Sequence, residues 1–393
     1  MGKDNKDFHG NGFFEWQFSP PTDEKLKESE QLYRYDEERY WGDFSREPFD
    51  LDTYKFPAWA IGGFEKYHRP VLAPTPGSWD CGRFGGGVHN GSVIKKDGKI
   101  YYLYRGEFPA PDQYKAPGID YMCDIGIAVS DDGINFRKLT EYSPLFRKGE
   151  DERFSFEDVC VVSFRGKYYM YLNRWNWKRH NDPSESGICM AVSDDLLHWE
   201  MLGLVFPNAK RIHRNPCVVQ DPDNEAVMIN GKFVMYINDG LMGISDDLIH
   251  WESVELDSRW PGGEGCFALT NYNPKHTDDI ILFTGGHHTG HFYAIGEVLF
   301  NKRDPSKPIT WLPRPVLTAD ERIPWENGLS AEPPHKPVSC FRDTIFFTGM
   351  TLFNGEWYLY YGGSEFYTCL ARSKDVKPAP PGGIEPIVKP INE

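Results

Sequence analysis

Residues 164–175 read FRGKYYMYLNRW, a glycine-containing turn followed by an aromatic run whose alternate residues suit the two faces of a strand. Variants of this unit recur along the chain. They are KDGKIYYLYRGE (96–107), INGKFVMYINDG (229–240), FNGEWYLYYGGS (353–364) and the degenerate TDDIILFTGGHH (277–288). Five copies at intervals of several dozen residues predict a fold built from one repeated β unit.

A second repeated stretch lies downstream of three of the aromatic runs. It reads AVSDDGINFR (128–137), AVSDDLLHWE (191–200) and GISDDLIHWE (243–252). Ser and Asp side chains accept hydrogen bonds from backbone N–H groups two residues on, which is turn chemistry. The recurrence indicates scaffolding, because a single catalytic centre does not need its motif three times. Together the two repeats describe a four-stranded antiparallel meander, and five meanders predict an all-β, five-bladed β-propeller.

The ends of the chain differ from this repeat. Residues 1–64 are predicted to form an N-terminal helical or extended arm, with a helix over 22–41. Residues 65–375 form the propeller, which is the catalytic domain, and 376–393 a Pro-rich tail. The arm is rich in apolar residues, so we expect it to pack on the propeller or to support a homodimer.

Composition narrows the function. The chain has 393 residues, 15% aromatic, and a net charge of −15, which argues against a nucleic-acid or anionic membrane partner. Aromatic side chains suit stacking on sugars. No apolar run reaches membrane-spanning length. The first dozen residues are polar and unlike an export signal, so we expect a cytoplasmic protein, or a periplasmic one if a signal has been removed.

No cofactor or metal is expected. The eight cysteines form no C-x-x-C pair and are predicted to be buried free thiols. Three histidines in GGHHTGHF (285–292) do not have the spacing of a standard zinc site. We expect them in a loop over the mouth of the propeller.

Carboxylates stand at the predicted strand starts upstream of the aromatic runs. They are Glu157 and Asp158 in the second repeat, Glu225 in the third and Glu264 in the fourth. Glycoside hydrolysis needs one carboxylic acid to protonate the leaving oxygen and a carboxylate to activate water or attack the sugar. Carboxylates in phase across successive blades therefore indicate a glycosidase.

These stretches resemble glycoside hydrolase family 130, the β-mannoside phosphorylases and related β-mannosidases, from about residue 65 to 372. The most specific segments are FEDVCVVSFRGKYYMYLNR and YAIGEVLFNKRDPSKPITWLPRPVLTADERIPWENG. The resemblance implies a five-bladed propeller. It also implies that Asp158 is the general acid, because the family motif Glu-Asp-Pro-Arg aligns with residues 157–160, where Pro and Arg are replaced.

Phosphorolytic members of this family surround inorganic phosphate with basic groups. Here the aligned segments carry Glu225, Asp239 and Glu264 instead, which would repel a phosphate dianion. We therefore expect an exo-acting, inverting hydrolase of β-mannosides or related oligosaccharides. Asp158 would be the acid, and Glu225 and Glu264 would position the attacking water.

Further polar residues at strand starts and ends are predicted to bind the sugar. They are His89, Asn90, Arg105, Glu107, Asn173, Arg174, Asp239, His335 and Glu365. Trp175 and Trp177 are candidates for a stacking platform at the rim.

Three alternatives stay open at this point. The enzyme could be a phosphorylase of the same family. It could be a propeller glycosidase acting on a galactoside, arabinofuranoside or anhydro-galactoside. It could also be a carbohydrate-binding propeller without catalysis, although clustered carboxylates, which repel one another, argue against that.

Overall fold

The computed structural model describes residues 55–81, 87–114, 121–147, 153–179, 181–238, 240–256, 264–288, 291–320, 322–326 and 344–377. The helix predicted over 22–41, most of the arm and most of the Pro-rich tail lie outside these ranges. The prediction of a dimer through the arm therefore lies outside them as well.

The expectation of an all-β protein is confirmed. Apart from a short 3-10 helix at Asp112–Tyr114, the regular structure of the described ranges consists of strands. Strand β1 is Glu65–Lys66. The first meander has β2 (Val88–Lys96), β3 (Lys99–Pro109), β4 (Tyr121–Ser130) and β5 (Arg137–Lys138). The second has β6 (Phe154–Phe164), β7 (Lys167–Asn176), β8 (Gly187–Ser193) and β9 (Glu200–Leu204).

The remaining strands continue the pattern. The third meander has β10 (Cys217–Gln220), β11 (Met228–Ile229), β12 (Lys232–Ile237), β13 (Leu241–Ser245) and β14 (Trp251–Glu255). The fourth has β15 (Glu264–Thr270), β16 (Asp279–His288), β17 (His291–Asn301) and β18 (Thr310–Trp311). The fifth has β19 (Ile345–Phe353), β20 (Glu356–Gly363) and β21 (Tyr367–Ser373), and β1 pairs antiparallel with β21.

The predicted glycine turns are tight two-residue hairpins. Between β2 and β3 both central residues have positive φ, 51° at Asp97 and 72° at Gly98. Arg165 and Gly166, with φ of 51° and 78°, repeat this between β6 and β7. Two positive φ values in succession match the twist of a two-stranded ribbon and need glycine at the second position. The fourth meander has a longer connection between β15 and β16, which explains its degenerate sequence.

The repeated Ser-Asp-Asp motif is a turn, as predicted. The hydroxyl of Ser193 accepts hydrogen bonds from the N–H groups of Asp195 (3.1 Å) and Leu196 (2.9 Å). Asp195 Oδ1 accepts from the N–H groups of Leu197 and His198, both at 2.8 Å. The copy around residue 245 repeats the same bonds. In these copies the second aspartate of the motif therefore stabilises the turn by accepting hydrogen bonds from its backbone.

The meanders form four sheets, because β10 and β15 pair in parallel and join the third and fourth meanders. None of the four sheets closes on itself. The first strands of the meanders nevertheless contact one another in sequence, β2 with β6, β6 with β10, β10 with β15, β15 with β19 and β19 with β2. Apolar clusters fill the spaces between successive meanders. No described helix has the length and apolar character needed to cross a membrane.

Candidate active site

An open cavity lies where the five meanders meet. It has about 270 Å³ of empty volume, and each meander contributes residues from its first strand or the entrance to it. In meander order the lining residues are Asn90 and Gly91, Asp158 and Val159, Asn215 and Pro216, Gly265 and Cys266, and Phe346, Phe347 and Thr348.

Bulges in the strands shape this cavity. The pairing register shifts between His89 and Ser92, Glu157 and Cys160, Gly265 and Phe267, and Phe347 and Gly349. A bulge leaves a residue unpaired and redirects its side chain. Asn90, Asp158 and Asn215 also have positive φ, at 40°, 52° and 55°. Asn and Asp tolerate this left-handed region better than most residues, so the local backbone favours amide and carboxylate side chains at the cavity.

Asp158 is held by two amides. Its Oδ1 accepts a hydrogen bond from Asn90 Nδ2 at 3.2 Å, and its Oδ2 accepts one from Asn173 Nδ2 at 2.9 Å. Burial and the neighbouring charge of Glu157 raise the pKa of Asp158 to about 6, against the opposing charge of Arg105. A pKa raised towards the working pH suits a carboxyl group to general acid catalysis, because part of the molecules hold the proton and can still release it readily.

A second carboxyl group belongs to Glu264, the first residue of β15, which precedes the cavity-lining Gly265. Its Oε2 accepts a hydrogen bond from Asn215 Nδ2 at 3.2 Å, and Tyr293 also bonds its side chain. Burial and the charge of Asp158 raise the pKa of Glu264 to about 7, while Arg214 lowers it. The two carboxyl groups thus lie close enough for each to affect the ionisation of the other.

Arg105, buried beside this pair, has no nitrogen left without a partner. Its Nη1 lies 3.1 Å from Glu157 Oε2, its Nη2 lies 3.0 Å from Glu107 Oε1, and its Nε donates to Cys123 Sγ at 3.1 Å. Glu157 also accepts a hydrogen bond from Trp175 Nε1. Two carboxylates therefore neutralise and orient this guanidinium.

His89 and Glu365 complete the charged surroundings of Arg105. His89 is fully buried, with Nε2 3.4 Å from Glu107 Oε1, and burial lowers its pKa despite that contact. Glu365 lies at the turn between β20 and β21, where Ser364 and Glu365 both have positive φ, 48° and 56°. Burial raises the pKa of Glu365 to about 8 against the opposing charge of Arg105.

Comparison with known proteins identifies relatives of the whole domain. No family model matches the chain. A 1,2-beta-oligomannan phosphorylase of Thermoanaerobacter is 26% identical over 324 residues, which are 79% of this chain and 97% of the relative. A solved glycosyl hydrolase from Bacteroides ovatus has a TM-score of 0.63 at 24% identity and covers 83% of this chain and 97% of its own.

A further solved structure carries the family name. It belongs to the GH130 family of mannoside phosphorylases, which contains glycoside hydrolases that target β-1,2-mannosidic linkages in Candida mannan. Its TM-score is 0.62 at 24% identity, covering 83% of this chain and 97% of its own. The resemblance to glycoside hydrolase family 130 is confirmed.

The structure brings together most of the residues predicted from the family 130 resemblance and the strand pattern. These are Asp158, Glu264, His89, Asn90, Arg105, Glu107, Asn173 and Glu365. Their side chains bond one another or act on one another electrostatically. Their roles remain predictions.

Glu225 is not among them, which corrects its predicted place beside Asp158. It is exposed, and it pairs with Ser163 near the end of β6. Five residues of strand separate Ser163 from Asp158, or about 16 Å at 3.3 Å per residue. The physical reason is that the inner strand β10 ends at Gln220, before Glu225 is reached. The stretch DPDNEA follows the inner strand β10 as a turn, in which Asp221 Oδ1 accepts from the N–H of Glu225 at 3.0 Å.

Arg174 also points away from the cavity, because successive side chains of β7 face opposite sides and Asn173 takes the inner one. Its Nε donates to the carbonyl of Glu185 at 3.0 Å, and its guanidinium lies 4.5 Å from the ring centre of Phe154. Trp175 is buried with its indole bonded to Glu157, so it cannot offer a ring face to a sugar. Trp177 is half-buried.

Several predicted residues lie outside the described part of the chain. Asp239 and His335 belong to this group, and so do the side chains of the histidines at 287, 288 and 291. Within the described ranges, no group of three His, Cys, Asp or Glu side chains is arranged to hold a metal ion.

Three residues at the site were missed from the sequence, namely Arg214, Asn215 and Tyr293. Asn215 and Arg214 precede β10 in the stretch HRNPC, where Asn-Pro is a turn signal that could have marked the strand entrance. Arg214 is exposed and acts electrostatically on both Asp158 and Glu264. Tyr293 reaches Glu264 across two strands of the fourth meander, which no local signal reveals.

Proposed function

We propose that this protein is a glycoside hydrolase that acts on β-mannosides or related oligosaccharides, exo-acting and inverting. The observation that carries the proposal is a pair of interacting carboxyl groups, both partly exposed and both with raised pKa values. Asp158 lines the cavity, and Glu264 is bonded to Asn215, which also lines it. Glycoside cleavage needs two carboxyl groups at one site, one that donates a proton and one that ionises to act as base or nucleophile.

We further propose that the five meanders are the blades of a propeller. The ring of contacts among the first strands and the contribution of every meander to one cavity support this arrangement. In a propeller the innermost strands surround the axis, so residues at equivalent bulges converge on one point. The substrate would enter this axial cavity end-on, which suits removal of a terminal sugar.

In this mechanism Asp158 donates a proton to the glycosidic oxygen as the bond to the anomeric carbon breaks. Glu264 accepts a proton from a water molecule that attacks the opposite face of the sugar. The acid ends the step as carboxylate and the base as carboxylic acid, and solvent restores both. The configuration at the anomeric carbon is inverted by this single displacement. Glu365 and Glu107 would bind sugar hydroxyl groups nearby.

The charges at the cavity favour water over phosphate as the attacking group. Arg105 is fully engaged by Glu107, Glu157 and Cys123, so it is not free to bind an anion. Glu264 adds a carboxyl group that is bonded to Asn215 in the lining of the cavity. A phosphate dianion would meet these carboxylates with little compensating positive charge.

Phosphorolysis is a second candidate, favoured by Arg214 and by the 1,2-beta-oligomannan phosphorylase relative. Arg214 is exposed near both Asp158 and Glu264 and forms no ion pair among the described residues. It could attract one phosphate group.

The deciding experiment is cleavage of β-1,2-mannobiose and an aryl β-mannoside in buffer with and without inorganic phosphate. The hydrolase gives free mannose at a rate independent of phosphate. Strict dependence on phosphate, with release of mannose 1-phosphate, would establish the phosphorylase instead. Product formation followed by proton NMR also reports the anomeric configuration.

A further inference from the structure

Two asparagines connect the carboxyl groups of Asp158 and Glu264. Asn173 Nδ2 donates to Asp158 Oδ2 at 2.9 Å and to Asn215 Oδ1 at 3.0 Å. Asn215 Nδ2 donates to Glu264 Oε2 at 3.2 Å. Asn173 is 1% exposed and Asn215 is 8% exposed, so water competes little for these bonds. The four side chains form one continuous hydrogen-bonded chain, of which Asp158 and Asn215 line the cavity.

The direction of every bond in this chain is fixed by the backbone. The N–H of Asn215 donates to Asn173 Oδ1 at 3.0 Å, so that atom must be the amide oxygen. The amide nitrogen of Asn173 then faces both Asp158 and Asn215. Because Asn215 Oδ1 accepts there, its own amide nitrogen must face Glu264. Turning either amide over would oppose donor to donor and leave a carboxylate facing an oxygen.

We propose that Asn173 and Asn215 act as one positioning unit, a two-amide bridge that orients Asp158 and Glu264 relative to each other and links their protonation. The bridge makes no contact with the reacting atoms in this role. It supplies each carboxyl group with a donor whose orientation depends on the other half of the bridge. Removing the amide of Asn173 should therefore disturb both carboxyl groups, whereas removing that of Asn215 should disturb mainly Glu264, because the N–H of residue 215 still holds Asn173.

The direction in which the pKa of Glu264 shifts distinguishes the bridge from charge repulsion alone. A donor to a carboxylate favours the ionised form, so losing the donor raises the pKa. Without a bridge, loss of Asn173 raises the pKa of Asp158 only. Asp158 then carries less negative charge at a given pH, so the pKa of Glu264 falls or stays constant. With the bridge, Asn215 loses its anchor and the pKa of Glu264 rises as well.

Other titratable groups act on the two carboxyl groups, and they must be the same in every variant that is compared. Glu157, Arg105 and Arg214 act on Asp158, Arg214 and Tyr293 act on Glu264, and the field of Asp158 reaches Glu365. None of them bonds an amide of the bridge in the described chain. Substitutions confined to the two asparagines leave all of them in place.

The test is a titration of the full-length protein with ¹³C-labelled Asp and Glu carboxyl groups, followed by NMR. The signals of Asp158 and Glu264 are assigned from spectra of Asp158→Asn and Glu264→Gln. Asn173→Ala and Asn215→Gly are the bridge variants. Glycine is chosen at 215 because it accepts the positive φ of 55° there. Asn173→Ala is expected to shift both pKa values upward. Asn215→Gly keeps the backbone N–H that holds Asn173, so it is expected to raise the pKa of Glu264.

Asn90→Gly is the matched control, because Asn90 donates to Asp158 Oδ1 but has no bond to the bridge, and glycine accepts its positive φ of 40°. It should raise the pKa of Asp158 and leave that of Glu264 constant or lower. Asn173→Ser, which keeps a small polar group, replaces Asn173→Ala if that variant is unfolded. The proposal is overturned if Asn173→Ala behaves like Asn90→Gly.

The inference rests on the proposed function for its kinetic consequence alone. Misorienting an acid and a base lowers kcat by about 10- to 100-fold and changes KM little. The titration needs no substrate, so it decides on the bridge even if the enzyme proves to be a phosphorylase. An upward shift of both pKa values with unchanged kcat would keep the link between the carboxyl groups and reject its role in positioning.

Discussion

At the scale of single residues, Asp158 combines a pKa raised to about 6 with a place in the lining of the cavity. Asp195 is its useful contrast, because burial raises the pKa there too, yet bonds from His198 and from the backbone hold it well below the usual range. Asp158 receives only two amide donors and faces another carboxylate. An aspartate thus stabilises a turn at position 195, whereas at position 158 it is suited to donate a proton.

Replacing Asp158 with Asn tests its role as the acid. The loss of kcat/KM should be about 100- to 10,000-fold for substrates with a poor leaving group, such as β-1,2-mannobiose. It should be much smaller for 2,4-dinitrophenyl β-mannoside, whose leaving group needs no proton. Asp131→Asn, at an exposed position on the first meander, is the control and should retain full activity. Equal losses on both substrates would show that Asp158 is not the general acid.

The pH dependence of kcat/KM should be a narrow bell. Activity requires ionised Glu264 and protonated Asp158, and the pair titrates with values of about 6 and about 7. Because the higher pKa belongs to Glu264, this is the less populated of the two singly protonated forms, which lowers the maximal rate but leaves the pH dependence bell-shaped. Below this range the base is protonated, and above it the acid has lost its proton, so the optimum should fall between the two. Rates measured from pH 4 to 9 check this. In Glu264→Gln the low-pH limb due to the base should disappear from the residual activity, whereas its persistence would exclude Glu264.

At the scale of elements, hairpins were predictable and bulges were not. The turn at Asp97 and Gly98 depends on those two neighbouring residues alone, so its position could be predicted from the sequence. The bulge after Glu157 depends on pairing with β7, which is non-local. The predicted place of Glu225 was wrong for this reason. Its distance from the aromatic run placed it at a strand start, whereas the actual strand had already ended at Gln220.

The Ser-Asp-Asp turn should affect stability and leave catalysis unchanged. Asp195→Ala removes the acceptor for two backbone N–H groups and should lower the free energy of unfolding by about 1–2 kcal/mol, as loss of a helix cap does. Asp194→Ala is the matched control one residue away. Its only described partner is an exposed contact with Lys167 at 3.4 Å, so it should cost less than about 0.5 kcal/mol. Urea unfolding and kcat, measured on both variants, decide whether this motif is scaffolding.

At the scale of the whole molecule, segments far apart in sequence complete the fifth meander. It contributes only three strands of its own, and β1 provides the fourth from the other end of the described chain. Repeats in the sequence predicted five similar units, but β1 is too short to be recognised as a strand. Its assignment depends on pairing with residues some 300 positions away, which no local pattern shows.

An ion pair between Lys66 of β1 and a buried glutamate gives the final prediction. Lys66 Nζ lies 2.5 Å from Glu326 Oε2, and the other oxygen of this fully buried carboxylate accepts from the hydroxyl of Tyr361 at 2.7 Å. Lys66→Met would leave the charge of Glu326 without its cation, and removing one partner of a buried pair costs about 3–5 kcal/mol. The double variant Lys66→Met with Glu326→Gln should regain much of that loss, because no buried charge remains.

Urea unfolding of the single and double variants measures this difference. Lys374→Met is the control, because Lys374 is exposed and lies 3.9 Å from its partner Glu356 on the same meander. It should be within about 0.5 kcal/mol of the wild type. If Lys66→Met were equally mild, the ion pair would not hold β1 in place. Stabilisation of the last meander would then have to come from the hydrogen bonds of β1 with β21 and from the apolar cluster beneath them.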